Sequence, residues 1–294
     1  MAISSDLIKQ LREKTCAGFL DCKKALDEAK GDLSVAEEYL RKKGLSDAAK
    51  KSTRTTADGL ISCFISDDLM KASIVEINSE TDFVAKNEKF QAFVKDVTEL
   101  ALDTDFEKMP DMPFKNSGHS LREELSFMVS IIGENIQFKR SQHFSVDKGL
   151  IGTYIHSAVF PGASMGKIGV LVCLEAESND FDRVIVKDFG KKLAMHIAAC
   201  SPRFLSTENV PADVLAKEKE IAKEQATALG KPEDVAEKIA EGRVKRFYEE
   251  TVLLEQLYFE DSKSTVSQIL AKFNKENNTK LKITAFTKYM LGGK

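Results

Sequence analysis

Cysteine is sparse in this 294-residue chain: Cys16, Cys22, Cys63, Cys173 and Cys200 are odd in number, never spaced C-x-x-C, and mostly set among apolar neighbours. That excludes a disulfide framework or a zinc site as the basis of the fold and implies reduced thiols. No apolar run approaches the roughly 20 residues of a membrane-spanning helix. The N-terminus enters a helical pattern without a charged-then-apolar leader or an Arg-rich, acid-free segment. A soluble, cytoplasmic protein with no membrane partner is expected. Positive charge is not in excess either: 43 Lys and Arg stand against 46 Asp and Glu, a net charge of -3. Neutralising nucleic-acid phosphates is therefore not its main business, although Lys50 to Arg54 forms a local basic patch.

Motifs of chemistry are missing as well. There is no G-x-x-x-x-G-K-S/T phosphate loop, G-x-G-x-x-G fingerprint, H-E-x-x-H pair or G-x-S-x-G elbow. The four histidines are scattered, and His196, on an apolar helical segment, reads as a satisfied core residue. No carboxylates are paired in an apolar context that predicts a raised pKa. No catalytic residue, metal ligand or cofactor is assigned; an enzyme using Cys63 or His156 is the weakest of the functional readings.

What is present is a chain that is 43% hydrophobic and 30% charged, enough to bury a sizeable core in two or three domains. Its organising stretch is Ile74 to Phe90, IVEINSETDFVAKNEKF. Ile74, Val75 and Ile77 read as strand; beyond Asn78, the spacing of Phe90, Phe93, Val94, Val97 and Leu100 is helical. Ser79 and Thr81 are candidate N-caps, and Glu80 and Asp82 place negative charge in the first helical turn. Phe83 lies seven residues before Phe90. It either shares that buried stripe or protrudes as a wedge awaiting a partner.

Taken in order, Ser4 or Ser5 caps a helix carrying Leu7, Ile8 and Leu11. A second helix carries Phe19, Leu20, Cys22, Ala25, Leu26 and Ala29 up to the Gly31-Asp32 break, and a third is predicted to stop at Gly44. A linker rich in small, basic and hydroxylated residues follows. The segment Gly59-Leu60-Ile61 then returns as Gly149-Leu150-Ile151, 90 residues on, while Lys71 and Phe93 return as Lys167 and Phe189, 96 residues on. The difference fits a longer hairpin loop, Ser157 to Gly166, in the second copy. Two α+β subdomains, each a small antiparallel sheet plus a helix, are inferred. The counterpart of Phe83 is Asn179, so the repeated fold needs no apolar residue there. Leu121 to Ile132 is predicted helical with Gly133 as its C-cap, before a strand near Ile136. Pro211 opens a helix and Gly230-Lys231-Pro232 turns it into a second, an antiparallel hairpin with charged outer faces. Leu253 to Phe259 is predicted as strand, Val266 to Phe273 as helix, and Leu281 to Phe286 as the closing strand.

These residues carry a resemblance. Glu76-x-Asn78-x-x-Thr81-Asp82-Phe83-Val84-Ala85-x-Asn87 closely resembles the hallmark of bacterial elongation factor Ts, the family of guanine-nucleotide exchange factors of elongation factor Tu. Further matches are Asp21-Cys22-Lys23-Lys24-Ala25-Leu26, Ile132-Gly133-Glu134-Asn135, Tyr154-x-His156, Ala194-Met195-His196-Ile197-Ala198-Ala199 and Gly230-Lys231-Pro232. Departures are Cys16 where the family usually has glycine, the longer 157–166 loop, and no C-terminal helical extension of the kind some members carry.

The resemblance implies an α+β fold with a three-helix, UBA-like docking module at 1–48, a linker at 49–58 and a duplicated core. Subdomain N covers 59–147 and subdomain C covers 148–205 with 248–294; a coiled-coil arm at 206–247 reaches the partner or forms a homodimer. It implies that the chain binds elongation factor Tu, in its GDP-bound and nucleotide-free forms, and expels GDP by dislocating Mg²⁺ through Thr81, Asp82, Phe83 and Val84. Lys23, Ile132, Gly133 and His156 are implied as further partner contacts. The competing function is a non-exchange scaffold in which the UBA-like unit binds a peptide or ubiquitin-like partner and the rest is structural.

Overall fold

The computed structural model of the chain describes residues 3–15, 17–115 and 117–293; Cys16 lies outside them. The first helix, α1 (Ser5–Thr15), is capped by Ser4, whose Oγ accepts from Leu7 N at 3.2 Å. It packs with α2 (Phe19–Glu28) and α3 (Leu33–Lys51) around Ile8, Leu11, Cys22, Leu26, Ala36 and Leu40. Gly31, at φ +88°, makes the turn into α3, and Asp32 caps it through Oδ1. The helix does not stop at Gly44 but runs on through Lys51. Gly44 is buried against the later helix spanning Leu121–Ile132, where an added Cβ would come within 3.6 Å of the Phe127 Cα. The glycine sits inside a helix–helix contact and does not terminate its helix, a distinction periodicity does not carry.

Strands β1 (Asp58–Ile65) and β2 (Lys71–Ser79) form an antiparallel hairpin, followed by a single helical turn, α4 (Asp82–Ala85), and then α5 (Glu88–Leu100). Helix α6 (Leu121–Ile132) starts with a Ser120/Glu123 capping box and ends at Gly133, φ +86°. Strand β3 (Ile136–Ser145) pairs with β2. Leu60, Val75, Ile77, Phe90, Phe93 and Val97 form the core beneath α5 and α6.

The second unit repeats the order: β4 (Gly149–His156), a short β5 (Met165–Gly166), β6 (Ile168–Glu175) and α7 (Arg183–Cys200). Gly59 and Gly149 open the equivalent strands at φ +130° and +116°; a Cβ on either would lie about 2 Å from a facing carbonyl oxygen, at 2.1 and 1.9 Å. Only glycine fits both places. The loop after β4 is more than a long hairpin turn. It crosses to the other sheet, where β5 pairs with Ile61 and Ser62 of β1 and Val159 joins the first core. The resulting sheets run β3-β2-β1-β5 and β4-β6-β7, the last strand being β7 (Lys282–Met290). Between them Ile61, Ile74, Ile151, Leu171, Cys173 and Tyr289 form a shared apolar layer.

Helices α8 (Ala212–Ala228) and α9 (Glu233–Thr251) make the antiparallel pair, turned by Gly230 at φ +72°. Their seam is built from Ala222, Ala226, Ala236 and Ala240, with Lys219 and Lys223 paired across it to Glu237. The expected strand at 253–259 is instead a 3-10 turn (Leu253–Glu255) and loop, preceding α10 (Val266–Asn277). Leu253 and Tyr258 are drawn into the second core. Gln256, also buried, donates to the carbonyls of Glu250 (2.9 Å) and Cys200 (3.3 Å) and faces His196 Nε2 at 3.0 Å. In place of a ladder, the backbone N–H groups of Leu253 and Leu254 donate to the carbonyls of Phe204 (2.8 Å) and Leu205 (3.2 Å). His196 is fully buried and held below its usual pKa by that burial, a neutral, hydrogen-bonded core residue.

Candidate functional site

Two turns are locked together at the end of β2. Glu134, just past the α6 C-cap, accepts from both the backbone N–H (2.9 Å) and the hydroxyl (2.7 Å) of Thr81. Reciprocally, Glu80 accepts from the backbone N–H of Asn135 at 2.6 Å, and the Asn135 side chain donates to the carbonyl of Arg54 at 2.8 Å. Charge-assisted bonds in both directions fix the Thr81 backbone against the α6 terminus. Glu80 is therefore spent on this clamp and not on the helix dipole, and the Thr81 hydroxyl, given to Glu134, makes no capping bond to α4. The sequence signal for Glu134 was its place in the Ile132-Gly133-Glu134-Asn135 run; nothing in spacing paired it with Thr81.

The clamp decides where Phe83 goes. Helix α4 lasts four residues because Asn87 ends it and caps α5, accepting from Lys89 N (2.9 Å) and Phe90 N (3.3 Å). Phe83 and Phe90 thus lie on different helices and share no stripe. Phe90 is fully buried, whereas Phe83 is 75% exposed. Val84, by contrast, faces inward at 4% exposure and pins the turn to the first core. Asp82 is exposed, 3.7 Å from Lys86, whose ammonium lies 5.7 Å from the Phe83 ring centroid. An aromatic this exposed, on a turn tied down on both sides, is preorganised to meet something.

Phe83, Val84 and Ile132 line one groove of about 620 Å³ together with Arg12 and Gly18 of the three-helix module. Gly133 adjoins it, exposed and with open space around its Cα. The other two sequence-selected residues lie elsewhere. Lys23 is exposed on α2, near Phe19 and Leu20, apolar side chains that are also left in solvent. His156 ends β4, exposed, with the Tyr154 hydroxyl 3.1 Å from its Nδ1. Among the described residues no cluster of His, Cys, Asp and Glu is arranged to hold a metal, and no helix is long and apolar enough to cross a membrane.

A family model described as elongation factor TS matches residues 80–293, beginning at the clamp itself. The chain belongs to the elongation factor Ts family. Elongation factor Ts of Rhodospirillum centenum is 45% identical over 99% of this chain and 93% of its own length. That of Gluconobacter oxydans is 43% identical over 99% and 92%, and that of Bartonella bacilliformis 42% over 99% and 94%. The elongation factor Ts likeness thus spans the three-helix module and the arm as well as the matched domain.

Proposed function

We propose that this chain, a translation elongation factor of the Ts family, binds GDP-loaded elongation factor Tu and drives GDP out, with Phe83 as the wedge that disturbs the Mg²⁺ and phosphate site. The observation that carries the reading is the exposure of Phe83 on a clamped turn. Asp82 makes polar contact beside it; Thr81 and Val84 position it through Glu134 and the core. Ile132 and Gly133 extend the same surface, and Lys23 and His156 are outlying contacts. The α1–α3 unit is a UBA-like docking module, the two sheet-and-helix units a duplicated core, and the α8–α9 arm a coiled coil that reaches the partner or a second copy. The division into 1–48, 49–58, 59–147, 148–205 with 248–294, and 206–247 follows from that assignment. The setting is the cytoplasm, without membrane or nucleic acid as direct partner.

No covalent chemistry is needed. An exchange factor has only to bind the nucleotide-free state more tightly than the loaded one. Linkage makes the effect reciprocal, so arriving nucleotide weakens this chain's hold and releases it. Moving a population from 1:99 to 99:1 takes about 5.5 kcal/mol of differential affinity, within reach of a multi-contact interface. The enzyme alternative fares poorly: burial pushes the Cys63 thiol up to about 12, leaving no thiolate to act as nucleophile. The scaffold alternative is separated by one assay. Substoichiometric chain mixed with elongation factor Tu loaded with fluorescent GDP should accelerate release catalytically; binding without acceleration would instead mark a scaffold.

A further inference from the structure

A second cleft, of about 560 Å³, lies between β1 and β4, strands of the two different sheets. Its walls are Phe64 and Ile65 of β1 and Thr153 and Ile155 of β4, and its mouth is flanked by Lys95 of α5 and Lys191 of α7. The two lysines hold equivalent places in the two units, 96 residues apart like Phe93 and Phe189. Glycine brings one of them in: a Cβ on Gly152 would lie 2.5 Å from the Gly190 carbonyl, so α7 rests directly on β4 and carries Lys191 to the strand edge.

Backbone parity shows that both edges have spare hydrogen-bonding capacity. In β4 the even-numbered residues bond to β6, continuing the register in which Ala176 N donates to Lys148 O. The odd-numbered N–H groups point outward. Gly149 N is taken by the Asn179 side chain and Ile151 N by Leu69 O, but Thr153 and Ile155 N–H have no partner among the described residues. In β1 the outward Cys63 N–H is taken by Ser164 O at 2.8 Å, and the next outward one, Ile65, has no partner among the described residues. Charge is spare too. The carboxylates next to the lysines on their helices are engaged elsewhere, Asp96 with Lys115 at 2.5 Å and Asp188 with Lys192 at 3.6 Å. Neither Lys95 nor Lys191 makes an ion pair among the described residues.

We infer that this cleft is a binding site for an extended acidic peptide segment, which adds to the free edge of β4 and places its carboxylates toward Lys95 and Lys191. Unpaired N–H groups facing inward from strand edges are a template for strand addition. The apolar side chains of Phe64, Ile65 and Ile155 suit alternate residues of such a strand, which a bare oxyanion would leave uncovered. The site is separate from the Phe83 surface, and its occupancy does not depend on nucleotide exchange.

The test uses the full-length, ¹⁵N-labelled chain and an acetylated, amidated pentapeptide alternating valine and glutamate. The amide signals of Ile65, Thr153 and Ile155 should shift with saturation, and Lys95→Glu with Lys191→Glu should weaken binding at least tenfold. Thr153→Pro removes an N–H that no ladder bond uses, so it should abolish binding while preserving the unfolding transition. If that variant does not fold, the charge reversals decide alone. Absence of shifts at those amides, undiminished affinity in the charge-reversed chain, or equal shifts from a control pentapeptide with lysine in place of glutamate would overturn the proposal. Equal shifts from inorganic phosphate would reduce the cleft to an oxyanion site and overturn it as well.

Discussion

The two sheet-and-helix units differ most where strand hands over to helix. In the first, residues 80–86 form a clamped helical turn that pushes Phe83 into solvent. In the second, residues 176–181 cover the same ground without a helical turn, and Asn179 folds back to accept from Gly149 N at 2.8 Å. Both segments are followed by a side-chain cap, Asn87 for α5 and Asp182 for α7. A polar residue that closes its own unit serves the fold at this junction. An exposed aromatic does not, and at this junction only the first unit carries one, which supports the contact proposed for it.

The comparison breaks most visibly at the two phenylalanines of the first unit. Phe90→Ala empties a fully buried site and should cost about 3–5 kcal/mol in urea unfolding. Phe83→Ala should cost less than about 1 kcal/mol there, because little burial is lost. Its effect belongs to function: truncating an interface aromatic typically costs about 2 kcal/mol or more, so accelerated GDP release should fall about 30-fold. A large stability loss, with exchange tracking only the folded fraction, would place Phe83 in the core after all. Next comes Glu134→Ala. Loss of two charge-assisted bonds to Thr81 should lower exchange about tenfold, equivalent to about 1.4 kcal/mol. Combined with Phe83→Ala it should add little, and strict additivity would show that the clamp does not act through the wedge. Asn179→Ala leaves the Gly149 N–H unpaired and should reduce stability by about 1 kcal/mol. GDP release should be unchanged; a drop there would mean that both junctions serve the partner.

The smallest effect concerns how the three-helix module is held. Arg41 pairs with Glu123, and the Glu123 carboxyl is held down to about 2 by the Ser120 backbone N–H and by Arg41. An unfolded glutamate titrates near 4.3. The folded value is the lower one, so the contribution is complete above roughly pH 4.3 and is lost as pH falls toward about 2. With both side chains partly exposed it should amount to less than about 1 kcal/mol. The urea midpoint of the native chain should drop slightly more between pH 5 and pH 2.5 than that of Glu123→Gln; identical drops would remove the pair from the account.

The sequence made most of this legible because strands and helices were long and strongly patterned. Helix α6 ends where spacing and Gly133 placed it, and the alternation at Ile74 to Ile77 became β2. What stayed hidden was set by tertiary contact. Gly44 reads as a stop until α6 lies against it, and the 157–166 loop reads as slack until β5 joins the opposite sheet. The 253–259 stretch reads as strand until the Phe204 and Leu205 carbonyls take its first N–H groups and His196 takes that of Phe259. At the candidate site the residue types were legible, but the bond between Glu134 and Thr81, 53 positions apart, was not.

The packing of α3 on α6 also sets a mechanical property. Helix α3 meets α6 at Gly44, and α6 ends where Glu134 grips Thr81, so the three-helix module and the Phe83 turn are joined by packed helix instead of a tether. A module on a flexible tether offers its second contact at millimolar effective concentration and in every orientation. A rigid joint offers one span and one angle, so under the proposed function seating the module would also align the Phe83 turn, without a further loss of rotational freedom. The molecule then behaves as a caliper whose jaw spacing is set by the seat of one helix on another.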